Sequence, residues 1–133
     1  MNKNKKKGFT LIELLVVATI ITILSAIGLV SFVNAGKGAR DAKRKADLET
    51  VRQALVLYRS DLGSYPSGGA GGAAGYNSAI AILSGGSYIS SPTPLDPKNG
   101  ATYYYSYGSD TVTFTLSAAK MEKTGVSYTL TNP

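Results

Sequence analysis

The sequence predicts an α+β fold, in which one long N-terminal α-helix packs on a small three-stranded antiparallel β-sheet. Three observations predict it. Residues 14–36 are 23 consecutive uncharged residues, and a helix that crosses a membrane needs about 20. Residues 48–62 then carry apolar side chains at helical spacing, and three runs after residue 101 alternate apolar and polar side chains as β-strands do. The first half of the helix is therefore apolar all round, and its second half is amphipathic.

Composition excludes several kinds of active site. The chain has 133 residues and a net charge of +6, and it contains neither His nor Cys. A Cys/His zinc site, a Ser-His-Asp triad, a thiol nucleophile and a disulfide-stapled fold are therefore excluded. Four of the 14 basic residues lie in the first seven positions, so ten basic residues face eight acidic ones in the remainder, a net charge of +2. We expect neither enzymatic activity nor a cofactor.

The apolar run at residues 14–36 has three simple interpretations. It could be a single-pass membrane anchor, a secretory signal peptide cleaved near Val33-Asn34-Ala35, or a very hydrophobic core helix. The basic residues before the run favour a cytoplasmic N-terminus for an anchor. Glu13 weighs against a plain anchor and a signal peptide, because inserting a carboxylate into an apolar helix costs about 2–4 kcal/mol. An acid at this position predicts a partner that neutralises it inside an apolar assembly.

A candidate partner for Glu13 lies four residues earlier. Cleavage between Gly8 and Phe9 would give Phe9 a free α-amine, which is normally protonated near neutral pH. Phe9 and Glu13 share one helical face. The ion pair could therefore close within one chain, or between neighbouring chains that pack in register.

The residues around Glu13 form a specific motif. The stretch KKKGFTLIELLVV at residues 5–17 resembles the prepilin cleavage and methylation motif of the type IV pilin family, which includes the type II secretion pseudopilins and the DNA-uptake pilins. The resemblance implies cleavage after Gly8, N-methylation of Phe9 and a role in assembly for Glu13. It divides the N-terminal region into a basic leader at residues 1–8 and an apolar transmembrane or filament-core helix at residues 9–36.

Two features of the apolar helix bear on its packing against other helices. Ala18, Thr22 and Ala26 form a face of small side chains at four-residue spacing, which allows close helix contact. Many members of the pilin family carry a proline late in this helix. Here Gly28 is the only helix breaker in that stretch.

Residues 37–62 are predicted to continue as an amphipathic helix. An apolar stripe recurs at intervals of three and four residues, at Leu48, Val51, Leu55, Tyr58 and Leu62. Gly63 is predicted to end the helix, and Gly36-Lys37-Gly38 is interpreted as a flexible joint before it. The basic cluster at residues 37–45 is interpreted as a solvated or lipid-facing surface, with nucleic acid as a weaker candidate partner.

The soluble head is predicted to span residues 37–133, with a loop at 63–100 and a β-meander at 102–130. Within the loop, residues 64–75 are interpreted as a flexible Gly/Ala/Ser-rich surface segment, followed by a short helix at 79–83. Strands are predicted at residues 102–107, 111–117 and 126–130, with Gly108-Ser109-Asp110 as the first turn. Val112 and Val126 are placed on the apolar face of this sheet.

The head resembles the major pseudopilin of type II secretion in three short stretches. These are LYRSDLGSYP at residues 57–66, YI at 88–89 and LDP at 95–97. Those pseudopilins carry an acidic, Gly-rich calcium loop near the C-terminus. In this chain Asp110 stands alone in that region, and calcium takes 6–8 oxygen ligands, several of them from carboxylates. We therefore predict no metal site.

The resemblance implies a structural subunit that polymerises through its N-terminal helix into a type IV pilus-like filament. The alternatives are a major pseudopilin of a type II secretion system and, more distantly, a DNA-uptake pilin or a secreted binding module. The implied partners are further copies of the chain, a prepilin peptidase, and an inner-membrane assembly platform with its ATPase motor. The implied location is the cytoplasmic membrane for a single-pass precursor, and then a cell-surface filament or a periplasmic pseudopilus.

Overall fold

The computed structural model describes residues 8–69 and 71–132, so the predicted leader lies outside the described residues apart from Gly8. Within these residues the chain forms α1 (Leu11–Leu62), α2 (Gly72–Gly85), β1 (Tyr105–Ser109), β2 (Phe114–Ala118) and β3 (Tyr128–Thr131). The predicted α+β class, with a long N-terminal helix and a three-stranded antiparallel sheet, is confirmed. The chain divides into two compact units, the first ending at Gly36 and the second beginning at Lys37.

The first unit contains the apolar half of α1. Every residue from 11 to 35 is exposed. Two hydroxyls in this stretch form hydrogen bonds within the helix: Thr19 donates to the carbonyl of Val16 at 2.7 Å, and Thr22 donates to that of Ala18 at 2.8 Å. Such back-bonding allows hydroxyl side chains to lie in an apolar environment.

The expected joint at Gly36-Lys37-Gly38 is helical in the structure, and its flexibility stays a prediction. α1 passes through all three residues and ends at Leu62. Two glycines cost about 2 kcal/mol relative to alanine, and helix propagation from both sides offsets this cost. The predicted stop is confirmed, since Gly63 has a φ of 81° and donates its N–H to the carbonyl of Arg59 at 2.8 Å.

The apolar stripe of α1 supplies one side of the core in the second unit. Leu48, Val51 and Leu55 are fully buried, and Tyr58 is half-buried. Leu62, the last residue of the helix, is 58% exposed, so the stripe is buried over a shorter length than predicted. α1 also contributes Ala54. The other core side chains come from α2, the sheet and the segments beside them: Tyr65, Tyr76, Ala79, Ile80, Leu83, Ile89, Tyr105, Tyr107, Phe114, Leu116, Ala118 and Met121.

The structure departs most from the prediction in the Gly-rich segment, which was expected to be a flexible loop. α2 begins at Gly72, well before the expected short helix at 79–83. Gly68 and Gly75 are buried, and a Cβ on Gly75 would overlap the carbonyl oxygens of Tyr107 and Gly68. These glycines therefore allow α2 to pack closely on β1. The glycines of this segment thus serve close packing. A Gly-rich composition is also typical of a flexible loop, so composition alone does not distinguish the two.

The three strands form the predicted meander in the order β1-β2-β3, and both pairs are antiparallel. Tyr107 of β1 pairs with Leu116 of β2, which in turn pairs with Leu130 of β3. Each strand begins two or three residues later than predicted. Burial alternates as expected, because Tyr105, Tyr107 and Leu116 point to the core.

The first hairpin turn lies at residues 110–113, beyond the expected Gly108-Ser109-Asp110. The Asp110 Oδ1 accepts the N–H groups of Val112 at 3.0 Å and Thr113 at 2.6 Å, as an aspartate does in an Asx turn. Val112 thus belongs to the turn, and Val126 precedes β3. Both are 62% exposed, so their predicted placement on the buried face is wrong.

Candidate functional site

The start of α1 is built by a reciprocal pair of side chains, Thr10 and Glu13. The hydroxyl and the N–H of Thr10 donate to Oε2 of Glu13 at 2.7 and 2.8 Å, and the N–H of Glu13 donates to the Thr10 hydroxyl at 3.3 Å. With the helix beginning at Leu11, Thr10 is the N-cap and Glu13 the third helical residue, so the two form a capping box. A carboxylate here also interacts favourably with the helix dipole.

The capping box uses only one oxygen of the Glu13 carboxylate. All three hydrogen bonds between Thr10 and Glu13 involve Oε2 or the Thr10 hydroxyl, and none involves Oε1. Glu13 is exposed, so its second oxygen is accessible to a further donor. One carboxylate can thus cap its own helix and still accept a charged hydrogen bond from another group.

The expected cleavage site lies just before this cap. Gly8 and Phe9 are exposed and precede the helix, and Phe9 is 79% exposed. Nothing lies within 4 Å of the position that a Cβ on Gly8 would occupy. In the uncut chain the nitrogen of Phe9 is an amide, so its predicted pairing with Glu13 as a free amine stays a prediction.

The expected small-residue face is only partly reflected in the surface of α1. Ala18 and Thr22 line a shallow groove together with Leu15, Thr19 and Ile23. Ala26 does not line this groove. A packing role for all three small residues stays a prediction.

A buried charged cluster on the second unit is the feature that the sequence analysis missed. Arg44 is fully buried, and its guanidinium contacts three carboxylates. It donates to Asp96 at 2.8 and 3.1 Å, to Asp41 at 2.8 Å and to Glu122 at 3.1 Å. Its carbon Cζ lies 5.0 Å from the ring centroid of Tyr103. The cluster thereby joins α1 to the 92–100 segment and to the turn that contains Glu122.

Two further cations balance the three carboxylates. Arg40 binds Glu122 through two hydrogen bonds at 2.6 and 2.8 Å, and the ammonium of Lys98 lies 2.9 Å from the same carboxylate. Asp41 also accepts the backbone N–H groups of Glu122 and Lys123, both at 2.8 Å. Among the described residues, no buried side-chain N or O atom lacks a hydrogen-bond partner. The cluster is therefore neutral and fully hydrogen-bonded, as buried charges must be.

The electrostatics of the cluster favour the charged forms of its acids. Hydrogen bonds from Arg40 lower the pKa of Glu122 well below its ordinary value, with Lys98 and Arg44 adding to the effect. Burial works to raise the pKa of Asp41, but the N–H groups of Glu122 and Lys123 and the Arg44 guanidinium lower it overall. Asp96 follows the same pattern, with burial opposed and outweighed by Arg44 and the N–H of Lys98.

A signal for this cluster was present in the sequence. The apolar stripe at Leu48 and Val51, extended backward with the same spacing of three and four residues, reaches Asp41 and Arg44. Sequence reasoning instead placed Arg44 in a solvated basic cluster, which is wrong because this residue continues the buried face of α1.

In the described part of the chain, α1 contains the single segment that is long and apolar enough to cross a membrane, by length and composition.

Comparison with known proteins assigns the family. The family model for the prokaryotic N-terminal methylation motif matches residues 3–29. The model for the type II secretion system (T2SS), protein G, matches residues 31–126. The chain belongs to the type II secretion protein G family. The predicted resemblance to pilins and pseudopilins is confirmed.

The relatives of this chain include both type II secretion proteins and type IV pilus proteins. The chain is 34% identical over 67 residues to the type II secretion system core protein G of Pseudomonas aeruginosa. The matched residues cover 50% of the chain and 47% of that relative. It is 43% identical over 61 residues to the type IV wide pilus major component of Thermus thermophilus, covering 46% of the chain and 47% of the relative. It is 47% identical over 57 residues to the prepilin peptidase-dependent protein D of Escherichia coli, covering 43% and 34%.

The matched stretches span less than half the length of each of these relatives. No solved structure matches the chain significantly.

Proposed function

We propose that this protein G family member is a structural subunit without enzymatic activity, which polymerises through the apolar half of α1 into a pilus-like filament. The observation that carries the proposal is the uncovered apolar surface of residues 11–35, where Leu11 is 88% exposed and Phe32 78%. Exposure of an apolar surface of this extent to water is energetically unfavourable. A bilayer would cover it in the precursor, and the helices of neighbouring copies would cover it in a filament.

Processing would prepare the helix for this transfer. Cleavage after Gly8 by a prepilin peptidase would remove the basic leader and free the α-amine of Phe9 for methylation. The mature chain would then lack the first eight of 133 residues and be 125 residues long. An inner-membrane assembly platform with an ATPase motor would then move the subunit from the membrane into the filament.

Glu13 would set the register of an incoming subunit. Its Oε2 is occupied by the capping box, and its Oε1 would accept a hydrogen bond from the Phe9 amine of an adjacent copy. Methylation of the amine preserves its positive charge, so the ion pair survives the modification. Among apolar helices such a pair is costly to break, by about 3–5 kcal/mol.

The alternative function is that of the major pseudopilin of a type II secretion system. It is favoured by the match of the protein G model to residues 31–126, which covers most of the head. The physics of the subunit is the same in both cases. The two functions differ in the length and location of the filament, a cell-surface pilus or a short periplasmic pseudopilus.

Three substitutions of Glu13 separate its capping role from its charge. Glu13→Gln keeps the capping box, because glutamine also serves at the third helical position, but removes the charge. Glu13→Ala removes both, and Glu13→Asp keeps the charge on a shorter side chain. We expect all three to be cleaved after Gly8, with assembly poor for the Gln and Ala variants and intermediate for Asp.

The measurement is the yield of sheared filaments, together with the intact mass of the mature chain. Wild-type filament yield from Glu13→Gln would overturn the ion pair with Phe9. A defect confined to Glu13→Ala would assign the assembly role to the helix cap. Mature material that begins at Gly36 would overturn the pilin-type processing altogether and support a signal peptide.

A further inference from the structure

A groove on the second unit is lined by apolar side chains and by two cationic ones. It lies between residues 38–45 of α1 and residues 121–128, and its lining includes Ala42, Met121 and Val126. Lys45 and Lys123 also line it. The ammonium of Lys45 lies 5.2 Å from the ring centroid of Tyr128, and that of Lys123 passes over Gly38.

The two lysines have no acidic partner in the part of the chain that the structure describes. Neither ammonium lies within 4.0 Å of a carboxylate there, in contrast to Lys43 and Lys98. The one acid in the groove lining, Asp41, is held by Arg44 and by the backbone N–H groups of Glu122 and Lys123. The groove therefore presents net positive charge beside exposed apolar surface.

A second copy of the chain has little free negative charge with which to fill this groove. Five of the eight acidic residues already form ion pairs with cations of their own chain: Asp41, Asp47, Glu49, Asp96 and Glu122. Glu13 lies in the apolar half of α1, so the head has two further acids, Asp61 and Asp110. Charge complementarity therefore favours an anionic ligand over a neighbouring subunit as the occupant of the groove.

We propose that this groove binds the headgroups of anionic phospholipids at the membrane surface before assembly. The inference rests on the proposed membrane anchoring of the precursor. The apolar run ends at Gly36 and the wall of the groove begins two residues later at Gly38, so the groove begins close in sequence to the point where an anchored helix would leave the bilayer. Val126, 62% exposed, supplies an apolar contact suited to the same interface. Each lysine near an anionic surface strengthens binding by about fivefold.

The absence of cysteine in the chain allows a site-specific test. Full-length protein carrying Thr124→Cys, labelled with a fluorophore at the edge of the groove, is reconstituted into vesicles with or without phosphatidylglycerol in phosphatidylcholine. Both vesicle types contain a lipid with a nitroxide quencher at its headgroup. Ser84→Cys, on the exposed side of α2, is the control position for the label.

We expect quenching at residue 124, but not at residue 84, only in vesicles that contain phosphatidylglycerol. Lys45→Gln and Lys123→Gln should each weaken the lipid contact about fivefold. Lys43→Gln removes the same charge from the same helix but outside the groove, and should leave the contact unchanged. High salt should abolish the contact, because the Debye length falls to about 3 Å at 1 M.

Several outcomes would overturn the proposal. Equal quenching in both vesicle types would mean that no anionic headgroup is recognised, and absence of quenching in both would mean that there is no lipid contact. Quenching lost on dilution of protein in the bilayer would assign the groove to a second copy. Each of these leaves the proposed filament function intact. Protein that fails to float with the vesicles would overturn the anchoring on which both proposals rest.

Discussion

At the scale of single residues, Arg44 has the most demanding environment in the head. Its side chain is fully buried and forms ion pairs with three carboxylates, those of Asp41, Asp96 and Glu122. Its planar fork binds Asp96 with two parallel donors, which a lysine ammonium cannot reproduce. The cluster therefore depends on the geometry of the arginine as well as on its charge.

We expect Arg44→Met to destabilise the head by about 3–5 kcal/mol, because it leaves the buried carboxylate of Asp96 without its cationic partner. Lys43→Met is the matched control, since its ion pair with Asp47 is exposed and contributes about 0–1 kcal/mol. Thermal unfolding of the detergent-solubilised chain, followed by the near-ultraviolet signal of its tyrosines, measures both. Equal stability of the two variants would show that the cluster is dispensable.

At the scale of elements, the packing of α2 on β1 depends on one glycine inside the helix. The Cβ of an alanine at position 75 would meet backbone oxygens of Tyr107 and Gly68, which cannot rotate away as a side chain would. We expect Gly75→Ala to cost about 1–3 kcal/mol through overpacking, although alanine is the better helix former.

Gly85→Ala is the control for this prediction within the same helix. Nothing lies within 4 Å of the position that a Cβ would take there, so the substitution should be neutral or stabilising by up to about 1 kcal/mol. Unfolding of the two variants under identical conditions gives the comparison. A stabilising Gly75→Ala would mean that α2 is free to move away from β1.

Elements with a clear period were predictable from the sequence, and those without one were not. The stripe at Leu48 and Val51 and the alternation along β2 predict burial directly. Apolar side chains at helical or strand spacing lie on one face of the element, and burial of that face is favourable. α2 begins in Gly-Ala-Ala-Gly, which has no period, and its packing is decided by contacts with β1. Arg44 escaped prediction because a charged residue on a buried face needs partners that are distant in sequence, Asp96 and Glu122.

At the scale of the whole molecule, the acids of the charged cluster make the head sensitive to low pH. Asp41, Asp96 and Glu122 have pKa values lowered in the folded state, so they contribute stability that is present above the ordinary values of 3.8 for Asp and 4.5 for Glu. This stability is lost as pH falls through the lower, folded-state values.

We therefore expect the unfolding temperature of the head to be flat from neutral pH down to about pH 5, and to fall steadily below pH 4. The Arg44→Met variant should show a weaker dependence, because the pKa values of its acids are lowered less. A scan of unfolding temperature against pH for both proteins tests this. Parallel curves would place the acid sensitivity outside the cluster.

The division of the chain at Gly36 predicts that the head folds without the apolar half of α1. Every core residue of the head and every member of the charged cluster lies at or after Arg40, so a chain that starts at Lys37 keeps all of them. Such a head is small, and we expect a stability near the low end of about 5–15 kcal/mol.

A second truncation shows what the head requires from α1. A chain that starts at Ala46 keeps Leu48 and Val51 but loses Arg40, Asp41 and Arg44, which leaves the buried carboxylates of Asp96 and Glu122 with only Lys98. We expect a cooperative thermal transition from the first truncated chain and none from the second, because uncompensated buried charge removes most of so small a stability. Cooperative unfolding of both would show that the apolar core suffices. Its absence in both would show that the head needs the anchor or the filament in order to fold.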